Sequence, residues 1–311
     1  MKVFTLVFTI SLCNFFYGQK LSIEKREDSL LILLKSVRKT TNDKEMIEKN
    51  TIMKTFLQET IQLAESFNYP FSKIKSIGII DSKDKSVRVY NWNILLSDKT
   101  NRYFCYIVRP GKRKTKLIEL IDKSISLKSK PNDVFNENNW YGALYYSVIP
   151  VKSVKKNTYT LLGWKANGTI SNQKIIEAIS IQGNHIKLGL PIFNTKTDVL
   201  KRYIIEYAKN VTVSLKHDPE FERIIFDHVS PETSSMKGFP EYYIPDMSWD
   251  AFTLHNDHWE ITEDVITKNI PEEENQKITT TVLDPKTGIE QEKVFEKAWI
   301  NPVIKNRIND K

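Results

Sequence analysis

Apolar residues along this chain recur with two different periods. From Leu21 to Phe67 they fall at one-face helical spacing, with Leu30, Leu31, Leu34 and Val37 in one stripe and Met53, Phe56, Leu57, Ile61 and Ala64 in a second. The segment TTND between them supplies turn and cap residues, so Asn42 or Asp43 starts the second helix, and Asn68 to Pro70 stops it. The pattern predicts a helix pair whose apolar stripes need another element to lie on.

From Ile74 to about Ile266 the period changes. Runs such as VRVYNWNILL, RYFCYIV, TYTLLGW, KIIEAISI, RYIIEYA, VTVSL and RIIFDHV are rich in β-branched and aromatic residues and are separated by Gly, Asn, Asp, Lys and Pro turns. Val211, Val213 and Leu215 alternate with Thr212, Ser214 and Lys216, as in a half-buried strand. No helix-length insert of the kind a parallel crossover requires separates these runs. The expected fold is therefore α+β: mainly antiparallel β, closing as a barrel, a sandwich or an incomplete propeller, with an N-terminal helix pair. Trp92, Trp164 and His228 read as strand ends beside polar turn residues, at spacings too unequal for a clear repeat. The boundaries are a leader over 1–18, the helix pair over 19–69, the β body over 70–266 and a charged extension over 267–311, in which VLDPKTGIEQEKVF reads as one hairpin.

The densest aromatic stretch is NNWYGALYYSVIP, residues 138–150. Period-two alternation puts Trp140, Leu144, Tyr146 and Val148 on a core face, and Tyr141, Ala143, Tyr145, Ser147 and Ile149 on the other. The second face is either a further buried layer or a shallow stacking platform. Aromatic residues mainly fill cores, which favours packing; if a ligand surface exists here, Tyr141 and Tyr145 belong to it.

The first residues add a location. MKVFTLVFTISLCNFFYGQK has one lysine, an apolar run from Val3 to about Tyr17 and the small Gly18, the layout of a secretory leader cleaved between Gly18 and Gln19. The residue before Cys13 is Leu12, where lipoprotein leaders carry a small side chain. No later segment approaches the roughly 20 apolar residues of a membrane-spanning helix, so no transmembrane segment is expected. The expected location is outside the cytoplasm, in the periplasm or at the cell surface. Cys105 is then the only cysteine left, so no internal disulfide is available and a hydrophobic core must hold the fold. The formal charge of +8 favours anionic partners, which for an exported chain means acidic glycans or lipid headgroups before nucleic acid.

The motifs NWN at 91–93, NWYGALYY at 139–146, LLGW at 161–164, IIFDHVSP at 224–231 and PDMSWDAF at 245–252 together resemble an uncharacterised family of exported proteins from Gram-negative, flavobacterium-like bacteria. The resemblance covers about residues 40 to 265 and implies an exported protein. It implies no activity and assigns no catalytic residue.

Strong catalytic signatures are missing: there is no GxSxG, HExxH or GxGxxG, and PGKRKT lacks the spacing of a phosphate-cradling loop. No cofactor is expected. Three weaker constellations stand out. His255, Asp257, His258 and Glu260 are potential metal ligands, but LHNDHW reads as a hairpin turn and matches no zinc spacing, so no metal site is expected. RPGKRKTK at 109–116 is a basic hairpin loop without interleaved aromatic residues, which argues against nucleic acid and leaves an anionic surface. Asp227 and His228 alternate to opposite sides of one strand, as a turn-capping carboxylate and a half-buried imidazole, or as acid and base groups beside Asp246 or Asp250. The functional expectation is a binding or structural module that contacts envelope glycans or other surface partners. The alternative is a hydrolase of envelope or polysaccharide substrates using Asp227, His228 and Asp250.

Overall fold

A computed structural model describes residues 21–127, 132–151 and 157–265, with two further strand segments at 278–283 and 290–295. The expected leader over 1–18 and the DPKTG turn lie outside the described residues.

The helix pair forms where the stripes place it. Helix α1 (Ile23–Lys39) is capped by Ser22, and α2 (Asp43–Ile61) by Asn42, whose side-chain oxygen accepts the Glu45 N–H at 3.0 Å. A cap of this kind stabilises a helix by about 1 kcal/mol. Leu30, Leu34 and Val37 of α1 and Met53, Leu57 and Ile61 of α2 are buried together. No helix among the described residues is long and apolar enough to cross a membrane.

Three sheets follow. Sheet I is β1 (Gly78–Asp81), β2 (Arg88–Leu95), β3 (Asn101–Arg109) and β4 (Lys116–Leu120), in that order and antiparallel. Sheet II contains β5 (Phe135–Asn136), β6 (Leu144–Pro150), β7 (Thr158–Asn167), β8 (Ser171–Gln182) and β9 (His185–Leu188), in the order β5-β9-β8-β7-β6. Sheet III contains β10 (Phe193–Asn194), β11 (Val199–Leu200), β13 (Leu215–Asp218), β14 (Arg223–Pro231), β15 (Tyr243–His255) and β16 (His258–Thr262), in the order β11-β10-β16-β15-β14-β13. The remaining strand, β12 (Arg202–Ala208), pairs with the first part of β8. Pairing is antiparallel apart from the short β10–β16 contact.

Strand β1 runs beside β6, and Asn91 Nδ2 donates to Gly78 O and Tyr145 O across this edge, so sheets I and II curl around one interior like half a barrel. That interior holds Val89, Cys105, Ile107, Trp140, Tyr145, Ile175 and Ile179. The helices cover the other face of sheet I over Tyr90, Trp92, Ile94 and Tyr106. Sheet III covers the other face of sheet II, where Ile176, Ala178 and Tyr207 meet Phe226, Phe252 and Trp259. Both faces of sheet II are thus covered, which is why β8 is buried along nearly its whole length rather than at alternate positions. Cys105 is buried as expected, and burial pushes its thiol pKa up.

Two strand expectations are corrected. Trp92, Trp164 and His228 lie inside β2, β7 and β14 rather than at strand ends. The VTVSL run enters a strand only at Leu215, because at the preceding step the Asp227 side chain accepts the Ser214 N–H at 2.8 Å in place of a ladder carbonyl. The C-terminal region is a separate unit, in which β17 (Ile278–Leu283) and β18 (Glu290–Phe295) pair as an antiparallel hairpin.

Candidate functional site

The residues singled out on β14 and β15 meet at an irregularity in their ladder. Asp227 pairs with Trp249 and Val229 with Pro245, so the single residue His228 stands opposite Asp246, Met247 and Ser248. The bulge is built by Asp246, whose Oδ1 accepts Ser248 N at 3.1 Å and Ser248 Oγ at 2.7 Å, and by Met247 in the left-handed region at φ +71°. His228 Nδ1 lies 2.9 Å from Oδ2 of the buried Asp250, and Nε2 lies 3.8 Å from Asp246 Oδ2. The hydrogen bond to Asp250 raises the His228 pKa against the opposing effect of burial, and Asp246 and Asp264 add to the rise.

An aspartate behind an imidazole orients it for proton transfer, yet a general base must be unprotonated at its working pH. A carboxylate beside each ring nitrogen favours the imidazolium instead. Asp227 is not part of this cluster. Besides Ser214 N, it is hydrogen-bonded by the side chain of Trp249, and burial raises its pKa against those bonds and against Lys174. The structure therefore joins His228 to Asp250 and Asp246 but places Asp227 elsewhere.

Of the two readings of Tyr141 and Tyr145, the further buried layer holds and the conditional ligand platform does not: they are 6% and 2% exposed. Alternation fails here because Gly142, at φ +78°, breaks the extended run, and β6 begins only at Leu144. A Cβ at Gly142 would stand 2.8 Å from both Asp122 Oδ1 and the Tyr103 ring. The Tyr141 hydroxyl donates to Gln173 Oε1 at 2.8 Å, and Lys165 Nζ sits 3.5 Å from its ring centroid. The Tyr145 hydroxyl accepts from Trp140 Nε1 at 2.9 Å and donates to Glu177 Oε2 at 2.5 Å. Arg202 closes this network on Glu177, with Nε 2.6 Å from Oε1.

The ring that the stretch does expose is Tyr146, at 40%. A register shift between Tyr145 and Ser147 turns it out of the alternation that placed it in the core. Its hydroxyl donates to Leu215 O at 3.0 Å, tying sheet II to sheet III, and Lys174 Nζ lies 5.1 Å from its ring centroid. Lys174 pairs across the ladder with Trp164, which is hydrogen-bonded to Tyr207. Burial depresses the Lys174 pKa to about 8, and Asp227 opposes that shift. Trp164, Lys174, Asp227 and Trp249 are all half-buried. Sheets II and III thus meet at a seam where partly exposed rings surround a lysine and a carboxylate. Sequence reasoning missed Tyr146 and Lys174. A signal existed for Lys174, a cation within the strand KIIEAISI, where a buried charge needs partners.

The remaining candidates have plain roles. His255 and His258 face each other across the turn Asn256-Asp257, with Asn256 at φ +55°, and His258 Nδ1 is 2.6 Å from Asp257 Oδ1. Glu260 lies on β16 opposite Thr253. Among the described residues no group of three or more His, Cys, Asp or Glu is arranged to hold a metal ion. The 109–116 segment is the β3–β4 hairpin loop, closed by Arg109 opposite Lys116. No family model, no curated protein and no solved structure matches this chain, so geometry and chemistry alone bear on its function.

Proposed function

We propose that this protein is an exported component of the cell envelope that binds glycans at the seam between sheets II and III. The observation that carries this reading is the set of partly exposed rings, Tyr146, Trp164 and Trp249, around Lys174 and Asp227. A ring offers a flat apolar face to the C–H surface of a sugar, and a neighbouring charged group fixes the sugar's polar edge. Lysine within reach and an overall charge of +8 favour a glycan that carries carboxylates. Four of the five motifs behind the family resemblance contribute a residue here: Tyr146, Trp164, Asp227 and Trp249. The leader-like N-terminus and that resemblance support export.

A hydrolase is the second reading, and the His228–Asp250 hydrogen bond is what favours it. The two separate cleanly. A panel of neutral and acidic envelope glycans, assayed for binding and for turnover, should give binding that Trp164→Ala weakens and His228→Ala leaves intact. Turnover that His228→Ala abolishes, with Trp164→Ala binding unchanged, would replace the first reading by the second. N-terminal sequencing of envelope-fractionated protein should find Gln19; retained Met1 would refute processing at Gly18.

A further inference from the structure

A second concavity lies far along the chain from these residues, at the open end of sheet I. Strand β4 stops at Leu120, opposite Cys105, whereas β3 begins at Asn101, so residues 101–104 have no strand beside them on that side. Helix α2 passes over this gap, and the turn after β4 is drawn away by bonds from Lys123 N to Trp140 O and from Trp140 N to Ile121 O. The result is a half-open groove of about 380 Å³. That volume falls within the roughly 300–1,000 Å³ of small-molecule sites.

Its walls are apolar where they are deep and cationic at the mouth. Ile47, Ile94 and Phe104 line the groove, with Ile121 and Ile125 at its rim, the latter 76% exposed. The carboxylates nearby are already committed. Glu119 pairs with Lys54, and Asp122 accepts Tyr103 N and Ser124 N, each at 2.8 Å. Asp98, within electrostatic reach of Arg102, accepts from Thr100 N and Thr100 Oγ1. The side chains of Arg102 and Lys123, which also line the groove, make no hydrogen bond or ion pair among the described residues.

Exposed isoleucines beside two uncommitted cations fit a ligand with an apolar chain and an anionic head. We propose that this groove binds an alkyl carboxylate, its chain against Ile47, Ile94 and Phe104 and its carboxylate held by Arg102 and Lys123. The site is independent of the seam, and either can fail without the other.

The groove contains its own reporter. Trp92 stacks on Phe104 with ring centroids 5.1 Å apart, and its indole N–H donates to Asn50 Oδ1 at 2.9 Å; both partners line the groove. Dodecanoate, titrated below its micelle concentration into the full chain, should bind saturably at one per chain by calorimetry and shift the tryptophan emission. Dodecanol should bind at least tenfold more weakly. The double variant Arg102→Gln, Lys123→Gln changes exposed side chains only; it should melt like the parent and bind dodecanoate at least tenfold more weakly. Thr51→Trp, placed on the exposed wall of α2, should block binding while leaving glycan binding at the seam intact. Absence of saturable dodecanoate binding would overturn the proposal, as would undiminished affinity in the double variant or equal affinity for dodecanol.

Discussion

The two faces of sheet II carry similar side chains put to opposite uses. On the face toward sheet I, Tyr145, Trp140, Glu177 and Arg202 lie at most 2% exposed in one closed network. On the face toward sheet III, Tyr146, Trp164 and Lys174 are partly open to solvent. Neighbouring residues of one strand, Lys174 and Ile175 or Tyr145 and Tyr146, thus belong to different environments. The difference lies in how completely the opposing layer covers each face. Sheet I curls over the first, while the second ends at a seam where the Tyr146 hydroxyl bonds to the edge strand β13. Aromatic content therefore does not distinguish core from site here; satisfied polar partners do. Tyr145 makes two side-chain hydrogen bonds inside the protein, whereas among the described residues the Lys174 ammonium has the Tyr146 ring and the field of the Asp227 carboxylate but no hydrogen bond.

The largest expected effect falls on the closed face. Glu177→Gln removes the carboxylate charge that faces the buried Arg202 and should destabilise the protein by about 3–5 kcal/mol, read by denaturant unfolding. Replacing both partners, Glu177→Leu with Arg202→Met, should recover much of that loss; a double variant as unstable as the sum of the singles would show that the pair is not the source. Tyr145→Phe keeps the ring but strands the Trp140 N–H and one Glu177 oxygen, at a cost of about 1–3 kcal/mol.

On the open face the expected signs change from stability to binding. Trp164→Ala should cost about 1–2 kcal/mol, because part of the ring already faces water, while glycan binding should fall sharply. A melt as damaged as that of Glu177→Gln would make the seam an ordinary core. An acidic sugar placed beside Lys174 would raise that lysine's pKa from about 8, so binding above pH 8 should take up protons. Calorimetry in buffers of different ionisation enthalpy measures this uptake, and Lys174→Met should abolish it.

The smallest effect belongs to His228. Its folded-state pKa is raised, so its contribution to stability is complete below the ordinary imidazole value of about 6.5 and disappears as pH rises through the raised value. The parent should lose a little stability across that window and His228→Asn should not. Its ring is partly exposed, so the slope is shallow.

Much of the architecture was legible in the residues themselves. Helix stripes, caps and strand runs are local properties, so Asn42 at the start of the second helix, the burial of Leu30 and Met53, the antiparallel body and the buried Cys105 follow from spacing and side-chain chemistry. The proximity of His228 to Asp246 and Asp250 was a stated alternative, because all three belong to segments that could pair. What sequence could not decide was orientation wherever the period breaks. Gly142, the register shift after Tyr145 and the bulge opposite His228 each interrupt the strict alternation of side chains. Nor does a period of two say which face of a sheet is covered and how far. Composition and periodicity determined a helix pair on a β body. Only the stacking of three sheets decided that Tyr145 is sealed and Tyr146 open, because burial depends on the layer packed opposite, which the strand's own residues do not encode.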